Sequence, residues 1–206
     1  MLHMLGQREL ERSVFPIGGM PKAQTRAHAR RFGLPVANKP DSQELCFAPA
    51  GEAGAFVRTT APELVRAGNV VDPSGRVLAE HDGTFGFTVG QRRGLGVATG
   101  ERTYVIEVDP AAGRVVIGPH ELLARRALVA DRVRWVAGPP PAPEAFEAEV
   151  RIRYRGEDIR AVVTPAGEEI RVEFDGPVHA VAPGQSVVIY RGEELLGGAR
   201  ILRALR

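Results

Sequence analysis

The sequence predicts a mainly β protein: a small α/β part at the N-terminus, a central β-rich region and a β-barrel or sandwich at the C-terminal end. Three observations carry that expectation. Turn formers are dense, with 24 glycines and 16 prolines among 206 residues, which favours short strands joined by turns over long helices. Short apolar runs separated by turn clusters recur from residue 70 to the end of the chain. Helical patterning is confined to the first 66 residues. The expected regions are 1–50, 51–120 and 121–206.

In chain order, residues 1–13 read as a helical piece with Leu2, Leu5 and Leu10 as its apolar positions. Phe15-Pro16-Ile17 reads as a short extended piece ended by Gly18-Gly19. Pro21 suits the first turn of a helix and Gly33 its C-terminal cap. Within it Lys22, Arg26 and Arg30 recur every four residues as a basic stripe, beside a narrow apolar one of Ala23 and Ala27. Such a stripe is either a solvated face or a phosphate contact. Leu34-Pro35-Val36-Ala37 is expected to be a short buried strand. From Glu52 to Arg66 the pattern is weakly helical and broken by Pro62.

Strand signals then take over. Val70-Val71 and Val77-Leu78 flank Asp72-Pro73-Ser74-Gly75, a hairpin by turn chemistry. Tyr104 to Val108 and Val115 to Ile117 flank Asp109-Pro110-Ala111-Ala112-Gly113 as a second. Between them lie Gly83, Gly86, Gly90, Gly94, Gly96 and Gly100. Repeated glycine allows left-handed backbone and close approach to a neighbouring strand or ligand. Further strands are expected at 127–136, 146–154, 159–164, 170–174, 186–190 and 195–202. The run Gly138-Pro139-Pro140-Pro141-Ala142-Pro143 has a linker's composition. The strands on either side of it both need partners, so it reads as a rigid loop within one barrel.

Composition sets bounds on function. The net charge is +2 with a pI near 9.0, so a nucleic-acid surface would have to come from local clustering of charge. A single cysteine excludes an internal disulfide and suits a reducing cytoplasm. No apolar run approaches the roughly 18 residues that span a bilayer, and the N-terminus lacks a signal-peptide pattern, so a soluble, cytoplasmic protein with no membrane partner is expected. The histidines at 3, 28, 81, 120 and 179 lack metal-ligand spacing, and no metal is assigned.

Chemistry concentrates in Lys39-Pro40-Asp41-Ser42-Gln43-Glu44-Leu45-Cys46-Phe47, which holds the lone cysteine just past a turn. From the residues alone, Cys46 is either a small buried hydrophobe or a nucleophile acting as its thiolate. Gln91-Arg92-Arg93 lies among glycines, where two exposed arginines offer planar donor forks to phosphate. Arg151, Arg153 and Arg155 alternate along an expected strand and so share one face, a basic row able to track an RNA backbone. Strict alternation turns Tyr154 to the other face, unless the strand ends or bulges near Gly156. Tyr154 is therefore either a core residue or an RNA contact.

Five stretches together resemble, in order and across essentially the whole chain, the signatures of the tRNA-specific 2-thiouridylases. They are Phe15-Pro16-Ile17-Gly18, Lys39 to Phe47, Thr88-Val89-Gly90-Gln91-Arg92-Arg93-Gly94-Leu95-Gly96, Arg153-Tyr154-Arg155 and Pro183-Gly184-Gln185-Ser186. The resemblance implies transfer of sulfur to C2 of the wobble uridine, position 34, of tRNA. It implies a C-terminal barrel like those of translation factors. Cys46, in the D-S-x-x-x-C-F motif, inherits the role of persulfide carrier. The residues matching Arg153, Tyr154 and Gln185 contact tRNA in that family. The implied partners are tRNA and a persulfide donor, either a cysteine desulfurase or a sulfur relay protein.

ATP and Mg serve the intact enzyme through an S-G-G-x-D-S loop in an N-terminal ATP-pyrophosphatase domain. That loop does not occur in this sequence, and one cysteine cannot supply both of the family's catalytic cysteines. The expectation is therefore a C-terminal part of the enzyme, with residues 1–50 a remnant of the catalytic domain, no ATP site, and no activity alone. The competing expectation is a freestanding RNA-binding β module whose cysteine is not catalytic.

Overall fold

A computed structural model describes residues 2–40, 53–62, 65–98, 100–154 and 156–206. The described chain is mainly β, with helices confined to its first third, as the sequence predicts.

The N-terminal part is helices and turns. A 3-10 turn at Leu2–Met4 leads into a single-turn helix, α1 (Gln7–Leu10). The amide of Gly6 donates to the Glu9 carboxylate at 2.9 Å, capping that turn. Helix α2 (Lys22–Arg31) starts after Pro21 and ends at Gly33, whose φ of +66° ordinary residues resist. There Leu34 N–H donates to the Ala29 carbonyl (2.9 Å) and Gly33 N–H to that of Arg30 (3.0 Å), the paired bonds of a glycine-terminated helix.

Two local expectations are corrected here. Residues 35–38 form a turn rather than a buried strand: Ala37 N–H bonds Leu34 and Lys39 N–H bonds Val36, both at three-residue spacing. Pro35 fixes its own φ and has no N–H to give a ladder, and Leu34 and Val36 stay exposed. Likewise Pro16 to Gly19 is a turn, closed by Gly18 N–H to the Phe15 carbonyl at 3.0 Å. Val14, Phe15, Ile17 and Phe32 are exposed with them.

Helix α3 (Ala53–Thr60) precedes a four-stranded sheet. Its strands are β1 (Gly68–Val71), β2 (Val77–His81), β3 (Tyr104–Asp109) and β4 (Arg114–Gly118), in the order β2-β1-β4-β3. Both expected hairpins form. The Asp72 carboxylate accepts from the Ser74 and Arg76 amides at 2.9 and 3.1 Å and so closes the first turn. The hairpins join through a parallel pairing of β1 with β4. At that seam Gly68 lies against Gly113, where a Cβ would stand 1.8 Å from the Gly113 carbonyl oxygen. Val70, Leu95, Val105, Val115 and Ile117 make its core.

Six strands close a barrel: β5 (Ala124–Trp135), β6 (Phe146–Arg151), β7 (Ile159–Ala166), β8 (Glu169–His179), β9 (Ser186–Arg191) and β10 (Glu194–Leu205). Around the barrel the order is β10-β5-β8-β7-β6-β9. The proline-rich run joins β5 to β6 inside the barrel, as expected. Alternating residues fill the interior, with Leu128, Val150, Val163, Ile170, Val172, Val187, Ile189 and Ile201 all within 1% of complete burial. The 3-10 turn at the N-terminus packs on β5 and β10. There the His3 ring lies where a Cβ on Gly198 would come within 2.5 Å of it, and burial pushes its pKa down.

Candidate nucleic-acid interface

The loop after β2 is held by its own side chains. Gly90 (φ +88°) donates to the Val105 carbonyl at 2.8 Å, and Val105 N–H returns a bond to Gln91 at 2.9 Å. The Gln91 side chain accepts from Thr88 N–H (3.0 Å) and donates to the Arg93 carbonyl (2.9 Å). Gln91 thus staples the loop, while Arg92 and Arg93 stay exposed. Beside them opens a hollow of about 730 Å³, lined by Arg92, Gly94, Gly96, Gly100 and Arg102. Arg102 had no signal in the sequence beyond its charge.

In the barrel, β6 stops at Arg151, not at Tyr154 as expected. The basic row on one strand face is therefore corrected. Arg151 is committed to Asp158: a short contact from its Nε, and Nη2 to Oδ2 at 2.8 Å. Its guanidinium also lies 4.8 Å from the centre of the Tyr190 ring. The hydrogen bond from Arg151 holds the Asp158 carboxyl below the usual range. Past the strand end Tyr154 is 90% exposed, which excludes the core alternative. Arg155 lies outside the described residues.

Arg153 turns back on the barrel. Its Nη2 donates to the carbonyls of His179 (2.6 Å) and Ala180 (3.0 Å). Gln185 follows in the same connection between β8 and β9. Its backbone is fixed on both sides: Gly184 N–H bonds the Ile201 carbonyl at 2.8 Å, and Ile201 N–H bonds that of Gln185 at 2.7 Å. The Gln185 side chain is exposed.

Segment 180–185 holds Gln185 and meets Arg153 and Gly90. Ala180 touches Arg153, the neighbour of Tyr154, and packs where a Cβ on Gly90 would come within 2.4 Å of its own Cβ. Gly90 opens the Arg92-Arg93 loop, and Gln185 ends the segment. Cys46 and its motif, residues 41–50, lie outside the described residues. Only their approach is described: Arg26 Nη2 donates to the Lys39 carbonyl at 3.1 Å, tying the basic stripe of α2 to the lead-in. Sequence reasoning missed the ring contacts of His179 on His120 (centroids 4.4 Å apart, stacked) and His120 on Tyr104 (5.2 Å, edge-on). No spacing rule joins those residues. The β5–β8 register, with Ala124 opposite His179, brings them together.

Among the described residues, no three His, Cys, Asp or Glu side chains cluster as a metal site. No helix of the described residues is long and apolar enough to cross a membrane.

Three family models match the chain in succession. A tRNA methyl transferase HUP domain matches residues 1–50, a tRNA methyl transferase PRC-barrel domain 55–119, and an aminomethyltransferase beta-barrel domain 125–201. The tRNA-specific 2-thiouridylase MnmA of Roseiflexus castenholzii is 44% identical over 205 residues, covering 98% of this chain and 55% of its own length. The protein of that name from Pelobacter propionicus is 43% identical over 207 residues, covering 100% of this chain and 58% of its own. That from Chlorobium luteolum is 42% identical over 213 residues, covering 99% and 58%. The chain thus spans somewhat more than half the length of these relatives.

Proposed function

Because the chain belongs to the tRNA-specific 2-thiouridylase family, of which it spans the C-terminal part, we propose that it holds tRNA and carries sulfur toward C2 of the wobble uridine. The observation that supports the tRNA reading is the convergence on segment 180–185. That segment holds the backbone-anchored Gln185 and touches Gly90, at the foot of the loop with the two exposed arginines, and Arg153, the neighbour of the exposed Tyr154. Arginine forks suit phosphate oxygens, an exposed aromatic ring suits a base or ribose, and an amide suits a neutral donor or acceptor. Arg153 sits at the root of this face. The three regions expected from the sequence, 1–50, 51–120 and 121–206, are the natural division of labour between sulfur carriage and RNA holding.

In the sulfur step the Cys46 thiolate attacks the outer sulfur of a donor persulfide, and the donor leaves as a thiolate. The outer sulfur of the Cys46 persulfide then bonds to C2 as the activated C2 oxygen leaves, and a second thiol, supplied by the rest of the enzyme, takes the Cys46 sulfur as a disulfide so that one sulfur stays on C2. Activation of the C2 oxygen by ATP belongs to the whole enzyme. Among the described residues α2 opens on Pro21, which has no amide hydrogen to offer a phosphate. The chain alone is expected to form no 2-thiouridine.

A salt titration of tRNA binding tests the reading. Each phosphate contact contributes roughly 0.7–0.9 to the slope of log affinity against log salt. Replacing Arg92 and Arg93 with alanine should flatten it by up to about two units, whereas Gln185→Ala should weaken binding without changing the slope. Mass spectrometry should find one added sulfur on Cys46 after treatment with a persulfide donor, removed by dithiothreitol. Folded variants that bind tRNA like the parent at every salt would overturn the tRNA face, and a Cys46→Ser protein gaining the same sulfur would overturn the carrier.

A further inference from the structure

Residues 2–40 meet the barrel through one short turn. Among the described elements of that stretch, the Leu2–Met4 turn makes the main packing on β5 and β10. His3, at its centre, is 5% exposed, the one buried polar side chain among the described residues. Its ring lies against Gly198 of β10, where a Cβ would stand 2.5 Å from the imidazole Cδ2 and 2.9 Å from Cγ. Four residues on, Gln7 Nε2 donates to the Val136 carbonyl at 3.3 Å. Val136 is itself tied to β10, its N–H donating to the Leu196 carbonyl at 2.9 Å. Both contacts therefore land where the end of β5 meets Gly197-Gly198.

Two glycines in succession weaken a strand, because each loses much backbone freedom on folding and has no side chain to pack. Neither has a left-handed φ, so close approach and not backbone conformation is what calls for glycine. A Cβ on Gly197 would come within 2.4 Å of the Arg134 carbonyl and 2.9 Å of the Trp135 ring. Gly197 thus serves the barrel, letting β10 close against β5. A Cβ on Gly198 would stand 2.9 Å from the Val187 carbonyl of β9 on one side and collide with His3 on the other. Gly198 thus serves a contact with the N-terminal stretch.

Past this seat the chain runs through α1 and α2 to Lys39, whose carbonyl Arg26 holds at 3.1 Å, the lead-in to the Cys46 motif. Val14, Phe15, Ile17 and Phe32 are exposed on the way, so their packing does not set where the stretch stands. We propose that His3 and Gly198 are positioning residues: the imidazole seated on the bare α-carbon fixes residues 2–40, and with them the approach to Cys46, on the tRNA-holding barrel. Gln7 is the second tie. This inference rests on the sulfur and tRNA reading above, and the experiment separates the two.

The first measurement needs no RNA. Nitroxide labels on cysteines replacing the exposed Lys39 and Glu168, in a Cys46→Ser background, report the distance from the lead-in to the barrel. Circular dichroism and Trp135 fluorescence check each fold. The parent should give one narrow distribution that broadens with His3→Ala and with Gly198→Ala. The two together should broaden it no more than His3→Ala alone, because the methyl then has room and coupled sites are not additive. Should Gly198→Ala fail to fold, His3→Ala, which alters no barrel strand, decides. A distribution that stays narrow in His3→Ala, or effects that simply add, overturns the seat.

The second measurement keeps Cys46 and uses a tRNA anticodon arm whose uridine 34 carries an activated pyridyl disulfide. The Cys46 thiolate attacks the uridine-side sulfur, a mixed disulfide forms, and pyridine-2-thione leaves. At saturating RNA, His3→Ala should slow this cross-link about tenfold, as expected of a misplaced reacting group, with affinity changed less than about twofold. Its reaction with free dithiodipyridine should match the parent's, which a damaged thiol site would not. A cross-link as fast as the parent's overturns the positioning role. A parent that forms no cross-link while its distances behave as expected leaves the seat standing and removes the sulfur-carrying reading.

Discussion

Ile201→Ala should cost the barrel a large part of its stability and loosen the anchor of Gln185. Ile201 is 1% exposed in β10, within the core that also holds Leu128, Val187 and Ile189. Truncating such a side chain loses its transfer free energy and leaves a cavity, about 2–5 kcal/mol together. For a barrel spanning residues 124–205, each kcal/mol lowers the melting temperature by roughly 4–8 °C. A loss of about 3 kcal/mol therefore shifts it by roughly 12–24 °C, out of a total stability of about 5–15 kcal/mol. Trp135, the only tryptophan, reports the transition: it lies in β5 opposite Gly197, 6.0 Å from the Phe146 ring. Urea titration followed by its fluorescence should give a lower midpoint and an unchanged slope. Ile201→Val should cost only about 0.5–1.5 kcal/mol. An Ile201→Ala protein within about 1 kcal/mol of the parent would refute the closed, close-packed interior.

Two further outcomes follow from seams elsewhere. Gly68→Ala should disrupt the parallel pairing of β1 with β4, since its Cβ would collide with the Gly113 carbonyl; amide exchange should rise across Val70, Val105 and Val115 while the Trp135 transition stays put, and protection equal to the parent's would refute it. Asp131 accepts both donors of Arg200 at 3.0 and 2.7 Å, and that hydrogen bonding lowers its pKa. The stabilisation is then fully present above the unfolded value of about 3.9 and lost as pH falls through the lower folded value. The gap in urea midpoint between parent and Asp131→Asn should therefore close below about pH 4, and a gap that persists unchanged at strong acid would count against the pair.

What the sequence disclosed was local. Asp72 and Gly75, or Asp109 and Gly113, specify a hairpin turn by side-chain acceptance and left-handed glycine, so those elements could be read residue by residue. The six barrel strands were legible for the same reason, since each alternates between turns. The β1–β4 pairing was not, because 40-odd residues separate the partners and nothing in either strand encodes the other. The end of β6 was also hidden: Arg151 pairs with Asp158 across the turn, which ends the alternation that the arginines at 151, 153 and 155 suggested. At the interface, charge and glycine exposed the Arg92-Arg93 loop, and resemblance supplied Tyr154 and Gln185. The inward partners of Arg153 are backbone carbonyls, which carry no residue signature.

The ring of strands is completed by β10, the last twelve residues but one, which binds β9 on one side and β5 on the other. During synthesis the barrel cannot shut until those residues leave the ribosome. Until then β5 and β9 present unpaired edges, and the His3 turn lacks the β10 surface on which it packs. A chain ending early, even by a few residues beyond Gly192, would be left as an open, sticky sheet rather than a slightly shorter barrel. Nascent-chain quality control should therefore see loss of β10 as severely as loss of a core residue.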